Sequence, residues 1–226
     1  MPFPIRLMFL TLVLLLCSPK VQAEKMVLMT SWTAQAQFAG YYIAYEKGYY
    51  KEVGLDVEIA HPSLTTTPLI CLQREQPDAI MLSLMSAMDF ISQGIPLVNI
   101  FQDSMNSSNL LISRWGKDPL KMNGKKVAIF NADPNYLTYI LSKKEQLNYE
   151  IIPCTSHINL FISGAIDAAM ATTYNEYLQL LQSGFRMGDE SIYRFSQHGY
   201  NIQEQGGYMK RSYYEAHTKA CKQFAA

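Results

Sequence analysis

Neither sign of charge dominates this sequence: its 226 residues hold 19 basic and 19 acidic side chains. That balance removes the electrostatic reason to expect nucleic acid or an acidic membrane surface as a partner. Cysteine is scarce as well. Cys17 falls in the leader described below, and Cys71, Cys154 and Cys221 form no C-x-x-C pair and share no metal-ligand spacing with a histidine. They read as small buried hydrophobes. One disulfide with one spare thiol is the alternative in an oxidising compartment. The four histidines, His61, His157, His198 and His217, are scattered and read as surface or loop residues rather than ligands. No G-x-G-x-x-G follows a strand pattern, and G-x-x-x-x-G-K, H-E-x-x-H and G-x-S-x-G are all missing. No catalytic residue, no metal and no cofactor is therefore assigned.

Long apolar runs are also lacking, apart from one at the start. Arg6 supplies a positive n-region, Leu7 to Leu16 is almost wholly apolar, and Val21 and Ala23 stand three and one residues before Glu24. This is the layout of a secretory signal peptide over residues 1–23, cut between Ala23 and Glu24. The run is short for a membrane span, which needs roughly 20 residues. A lipoprotein cut before Cys17 is disfavoured by the bulky Leu16. The expected location of the mature chain is the periplasm.

What remains alternates between two periodicities. Val27 to Thr30 reads as a buried strand, and Leu55, Val57 and Ile59 alternate with Asp56 and Glu58 as a half-buried one. Ala79–Leu82, Leu97–Phe101, Leu110–Ser113, Val127–Phe130, Ile151–Ile152 and Ala168–Ala171 read as further strands. Between them, helical patterns cover Pro68–Arg74, Ser86–Gln93, Tyr136–Lys144, His157–Ser163 and Tyr174–Gln182. Phe38, Tyr41, Tyr42 and Tyr45 fall at i, i+3, i+4 and i+7, one face of a helix that Gly48 ends. Strands alternating with helices predict an α/β fold with parallel-dominated sheets. Tyr213 to Ala226 carries helical patterning yet stops without Gly, Asn or Pro, so the last helix reads as unfinished.

The stretch Trp32 to Val57 is the most informative, being rich in tyrosine. An apolar ring face with a polar tip suits contact with a flat, polar ligand, although the same stripe could be ordinary core packing. The order of residues goes further. Q-F-A-G-Y-Y at 37–42, E-K-G-Y-Y at 46–50 and G-L-D-V at 54–57 closely resemble the opening of bacterial thiamine-pyrimidine-precursor binding proteins. These are relatives of the periplasmic binding proteins for sulfonates and nitrate that serve ABC transporters. The resemblance continues in order through G-I-P-L-V (94–98), F-Q (101–102), N-G-K-K-V (123–127), G-A-I-D-A-A (164–169) and Y-N-E (174–176), and so covers most of the mature chain.

The resemblance implies the type II periplasmic binding protein fold, with two α/β lobes joined by two crossings and a ligand cleft between them. Lobe one would comprise residues 24–110 plus 195–226, and lobe two residues 111–194. The implied ligand is hydroxymethyl- or formylamino-pyrimidine, delivered by a monomer to an ABC transporter permease. Family members usually run longer, so this chain is short at its C-terminus. The same module also stands in front of membrane sensors, which keeps a ligand-sensing ectodomain open as an alternative. Eukaryotic relatives of the fold make the pyrimidine with a histidine, a pyridoxal cofactor and clustered cysteines. His61, Lys47 and Lys51 lie in the corresponding region, but no motif carries the role over and no cysteine cluster exists.

Candidate ligand-binding residues follow from the α/β rule that ligands lie beyond the carboxyl ends of strands. Trp32 follows the first strand, with Phe38, Tyr41 and Tyr42 opening the next helix; Trp32 and Tyr41 or Tyr42 are the expected ring partners, while Phe38 suits the core equally. Ser83 and Ser86 follow a strand and could bond ligand or cap their own helix. Gln102 ends a strand. Asn131 and Asp133 follow another, and Asp133 before Pro134 reads more simply as a cap. Tyr174 could stack from the second lobe, beside Asn175 and Glu176. The Glu176 carboxylate could accept from an amino group and pair with a protonated ring nitrogen, or merely favour the positive end of its helix. A returning segment at Gln197–Tyr200 would bring Tyr200 to the cleft.

Overall fold

The computed structural model describes residues 23–63, 67–114, 116–130 and 136–226. Residues 1–22 of the expected leader lie outside the described residues, as do Asn131 and Asp133. The first sheet is built from β1 (Glu24–Met29), β2 (Leu55–Ala60), β3 (Ala79–Leu82), β4 (Leu97–Gln102) and β10 (Gly206–Lys210), in the order β2-β1-β3-β10-β4. The second contains β5 (Asn109–Ser113), β6 (Lys126–Phe130), β7 (Glu150–Cys154), β8 (Ala168–Thr172) and β9 (Ile192–Arg194), in the order β7-β6-β8-β5-β9.

Sequence patterns explain the strand positions. In β2, Leu55 and Val57 are buried while Asp56 and Glu58 are exposed, the period-2 alternation of a strand with one wet face. The run Ala-Ile-Met-Leu of β3 is buried throughout, which suits a central strand covered on both faces. Helices lie between the strands: α1 (Ala39–Lys47), α2 (Tyr49–Glu52), α3 (Pro68–Gln73), α4 (Leu84–Ser92), α5 (Tyr136–Lys144), α6 (Ile158–Ser163), α7 (Glu176–Gln182), α8 (Arg211–Ala216) and α9 (Thr218–Phe224). Gly48 takes φ +79, the left-handed conformation that closes α1. Thr67 caps α3 ahead of Pro68, and Ser83 caps α4. Among the described residues no helix is long and apolar enough to cross a membrane.

Both sheets are mixed. β1 runs parallel to β2 and β3, and β6 to β7 and β8. β10 is antiparallel to β3 and β4, and β5 to β8 and β9. The reason is topological. The chain crosses between sheets after β4 and again after β9, so β5 and β10 enter their sheets at the edge where β3, β4, β6 and β8 end. A strand that starts at that edge must run away from it.

Four local expectations change. The helix face counted from Phe38 is rotated: Phe38 sits fully buried in a preceding 3-10 turn, Tyr45 is 50% exposed, and Tyr41 and Ala44 are the α1 residues packed on the first-sheet core. The C-terminal helix is two helices, broken at His217, and Ala220, Cys221 and Phe224 of α9 are buried in the first-sheet core. The returning segment is β10, not 197–200. Phe195–His198 is a 3-10 turn whose Phe195 packs in the second-sheet core, and Tyr200 packs there too. His157, finally, is buried rather than superficial, because its Nε2 finds the Met170 carbonyl at 2.6 Å and Phe130 covers its ring at 4.9 Å. All three described cysteines are free; Cys71 and Cys221 are buried and Cys154 half-buried.

Candidate functional site

A cleft of about 1350 Å³ opens where the carboxyl ends of strands from both sheets face each other. It exceeds the roughly 300–1,000 Å³ of a typical small-molecule pocket. Leu82, Gln102, Phe130 and Thr172, which end β3, β4, β6 and β8, all line it. Of the sequence candidates, Trp32, Tyr41, Ser83, Gln102, Tyr174 and Glu176 meet in this space, whereas Phe38, Tyr42 and Asn175 do not line it.

Trp32 is half-buried, two residues beyond Thr30. The buried Thr30 hydroxyl donates to the Trp32 carbonyl at 2.7 Å, and His61 Nδ1 lies 2.7 Å from the same hydroxyl oxygen. These contacts hold the backbone that presents the indole. His61 Nε2 lies 3.3 Å from the Tyr42 hydroxyl. Tyr42 therefore turns away from the cleft and onto His61, with ring centroids 5.9 Å apart.

Tyr41 turns inward. Its hydroxyl donates to Asp103 Oδ2 at 2.5 Å, and Gln205 Nε2 donates to the same oxygen at 2.9 Å. Burial pushes the Tyr41 phenol well above its ordinary range, and the Asp103 hydrogen bond and charge push the same way. The group stays a neutral donor. Ser83 is both cap and wall. Its Oγ accepts from the Ser86 amide at 3.1 Å while the residue lines the cleft. Gln102 is exposed at the cleft edge, its Nε2 donating to the Ser104 carbonyl at 2.8 Å.

Across the cleft, Glu176 is 8% exposed and opens α7. Oε2 accepts from the Thr172 amide at 2.9 Å and the Thr172 hydroxyl at 2.7 Å, and Oε1 accepts from Asn175 Nδ2 at 2.7 Å. Asn175 thus orients Glu176 rather than facing the cavity. Glu176 answers both readings of its position: it ties the end of β8 to α7 and still presents a carboxylate edge to the cleft. Tyr174 is 37% exposed overall. Its hydroxyl end is buried against Thr172 and Ser108, and burial raises its phenol, with the charges of Glu204 and Glu176 adding to the rise.

The back of the cleft holds what the sequence did not single out. Glu204 accepts from the Ser107 hydroxyl at 2.5 Å and the Asn109 amide at 3.0 Å, and also from the Ser108 hydroxyl and Asn109 Nδ2. The Ser107 amide donates to Asn201 Oδ1 at 2.7 Å. These bonds join the two chain crossings, 103–108 and 199–205, side by side. Asp103 could have been suspected, since it follows the end of β4. Glu204 could not, because it precedes a strand with no legible pattern.

Comparison with known proteins fits this geometry. A family model described as NMT1/THI5 like matches residues 35–226. A protein of Haemophilus influenzae described as a putative thiamine biosynthesis protein is 26% identical over 117 residues, taking in 50% of this chain and 37% of the relative. The matched part is thus little more than a third of that curated protein. The periplasmic aliphatic sulphonate binding protein SsuA of Escherichia coli superposes with a TM-score of 0.64 at 15% identity, over 86% of this chain and 68% of that one. A solved protein of Bordetella bronchiseptica RB50 gives 0.65 at 17% identity, over 91% and 69%. The fold is that of the type II periplasmic binding proteins.

Proposed function

Because the chain belongs to the NMT1/THI5-like family, we propose that it is an exported solute-binding protein for a thiamine pyrimidine precursor, or a closely similar flat metabolite, feeding an ABC transporter. The single observation that carries this reading is the pairing of aromatic walls with a buried carboxylate across one cleft: Trp32 and Tyr41 on one side, Tyr174 and Glu176 on the other. An aminopyrimidine offers a flat face for the rings, and an amino group and ring nitrogens for Glu176.

Two lobes, built on the two sheets, close about the crossings at 103–108 and 199–205 in this reading. The leader at 1–23 directs export, and the permease recognises the closed form. Neither the Haemophilus relative's description nor the sulphonate ligand of SsuA transfers directly, since the first match is partial and the second is remote in sequence.

Calorimetry with hydroxymethyl- and formylamino-pyrimidine tests the assignment. Binding by one of them is expected, and a folded sample giving heat with neither would remove the pyrimidine. Glu176→Gln should weaken binding by roughly 1.5–3 kcal/mol, the range for hydrogen bonds to a charged group. Unchanged affinity would take Glu176 out of the site.

A further inference from the structure

Besides Glu52 and Asp89, three carboxylates line the cleft, two at its back and one across it: Asp103, Glu204 and Glu176. Each is used as an acceptor by two or more donors: Tyr41 and Gln205 on Asp103, Thr172 and Asn175 on Glu176, and Ser107, Ser108 and Asn109 on Glu204. All of those partners are neutral. Among the described residues, the ion pairs lie elsewhere, at Lys121–Asp118, Lys210–Glu75 and His217–Glu24. The described residues lining the cleft include no lysine, arginine or histidine. The short stretches 64–66, 115 and 131–135 hold none by sequence either.

Helix termini offset only part of this charge. The N-terminal turns of α1, α3, α4 and α5 line the cleft at Gly40, Pro68, Ser83 and Tyr136, and each contributes at most about half a positive charge, about two in all against five carboxylates. The N-terminus of α7 is occupied by Glu176 itself. A cavity walled by aromatic rings and carrying uncompensated negative charge favours a cation twice over, by direct attraction and by the negative faces of its rings.

We propose that the cleft selects a flat ring bearing positive charge, of amidinium or protonated-amine type, over neutral rings and against sulfonates, carboxylates and phosphate esters. The inference rests on the reading of this cleft as the site of a flat ligand, and it narrows that ligand to the dephosphorylated, protonatable form. Asp103 and Glu204 set the sign of the preference, while Glu176 makes the direct contact.

The test titrates the mature chain with benzamidine, benzamide and benzoate, which share one ring and differ in charge, at low and at high salt. Benzamidine should bind tightest, by about tenfold over benzoate, and the gap should narrow at high salt. Asp103→Asn should narrow it at low salt. Benzoate matching benzamidine, or a gap indifferent to salt, overturns the proposal. Hydroxymethyl-aminopyrimidine and its phosphate ester separate this inference from the pyrimidine assignment. If both bind equally, the charge preference fails and the pyrimidine stands. If neither binds while the benzamidine order holds, the pyrimidine fails and the charge preference stands. A folded protein that binds none of the five compounds overturns both.

Discussion

His157 shows how a single residue's surroundings become a property of the molecule. It is 1% exposed, its Nε2 is held by the Met170 carbonyl, and its Nδ1 has no hydrogen-bond partner. Burial lowers its pKa from the ordinary 6.5, although the Met170 bond and the Glu176 charge pull the other way. The native chain therefore keeps His157 neutral at a pH where the unfolded chain protonates it. Stability from this group is complete above about pH 6.5 and is lost as pH falls below it, towards the lowered native value. The slope is at most about 1.4 kcal/mol per pH unit. Urea denaturation of wild type and His157→Gln between neutral and mildly acid pH checks this. The variant keeps a donor for Met170 and loses the titrating group, so its midpoint should depend less on pH. An equally steep dependence would place the acid sensitivity elsewhere. Site residues were unevenly legible at this scale. Trp32 and Glu176 were visible because each closely follows a strand end, and Tyr41 because it opens the next helix in the aromatic segment. Tyr42 was indistinguishable from Tyr41 by spacing, and only the position of His61, brought in by β2, separates the two.

Among the elements, β10 is the one whose pairing completes the first sheet. It lies between β3 and β4, and its Met209 is fully buried in the core that also holds Met26, Leu28 and Met81. Met209→Ala should cost roughly 2–5 kcal/mol, read as a lower urea midpoint; a loss below 1 kcal/mol, outside that range, would mean that the core closes over the gap. Strands such as β2 and β3 could be read directly, because alternation or an unbroken apolar run marks them. β10 reads Gly-Gly-Tyr-Met-Lys, with neither signal. Gly207 has its reason in the partner strand, since a side chain there would meet the Phe101 ring. β9, of three residues, is too short to carry a period. Helices were found where apolar spacing and a terminal glycine agreed, as at α1 with Gly48, but the face that α1 buries was set by packing on the sheet and not by its own stripe.

For the molecule as a whole, the two crossings decide how the sheets face each other. From within one crossing, Glu204 binds Ser107 and Ser108 of the other and Asn109 at the start of β5. Glu204→Ala strands those donors and should lower stability by roughly 1–3 kcal/mol. It should also raise the radius of gyration of the ligand-free protein in small-angle scattering. Unaltered scattering together with unaltered stability would mean that the crossings are held without Glu204. The sequence by itself determined the α/β class, most strand and helix positions, and the aromatic segment at 32–57, because these depend on neighbours a few residues apart. Only the tertiary structure decided that both sheets are mixed, that Tyr41 and not Tyr42 faces the cleft, and that Asp103 and Glu204 join Glu176 there. The choice of Tyr41 depends on His61 arriving with β2, and the other two outcomes depend on segments about a hundred residues apart meeting at the crossings; hydrophobic periodicity carries no record of such meetings.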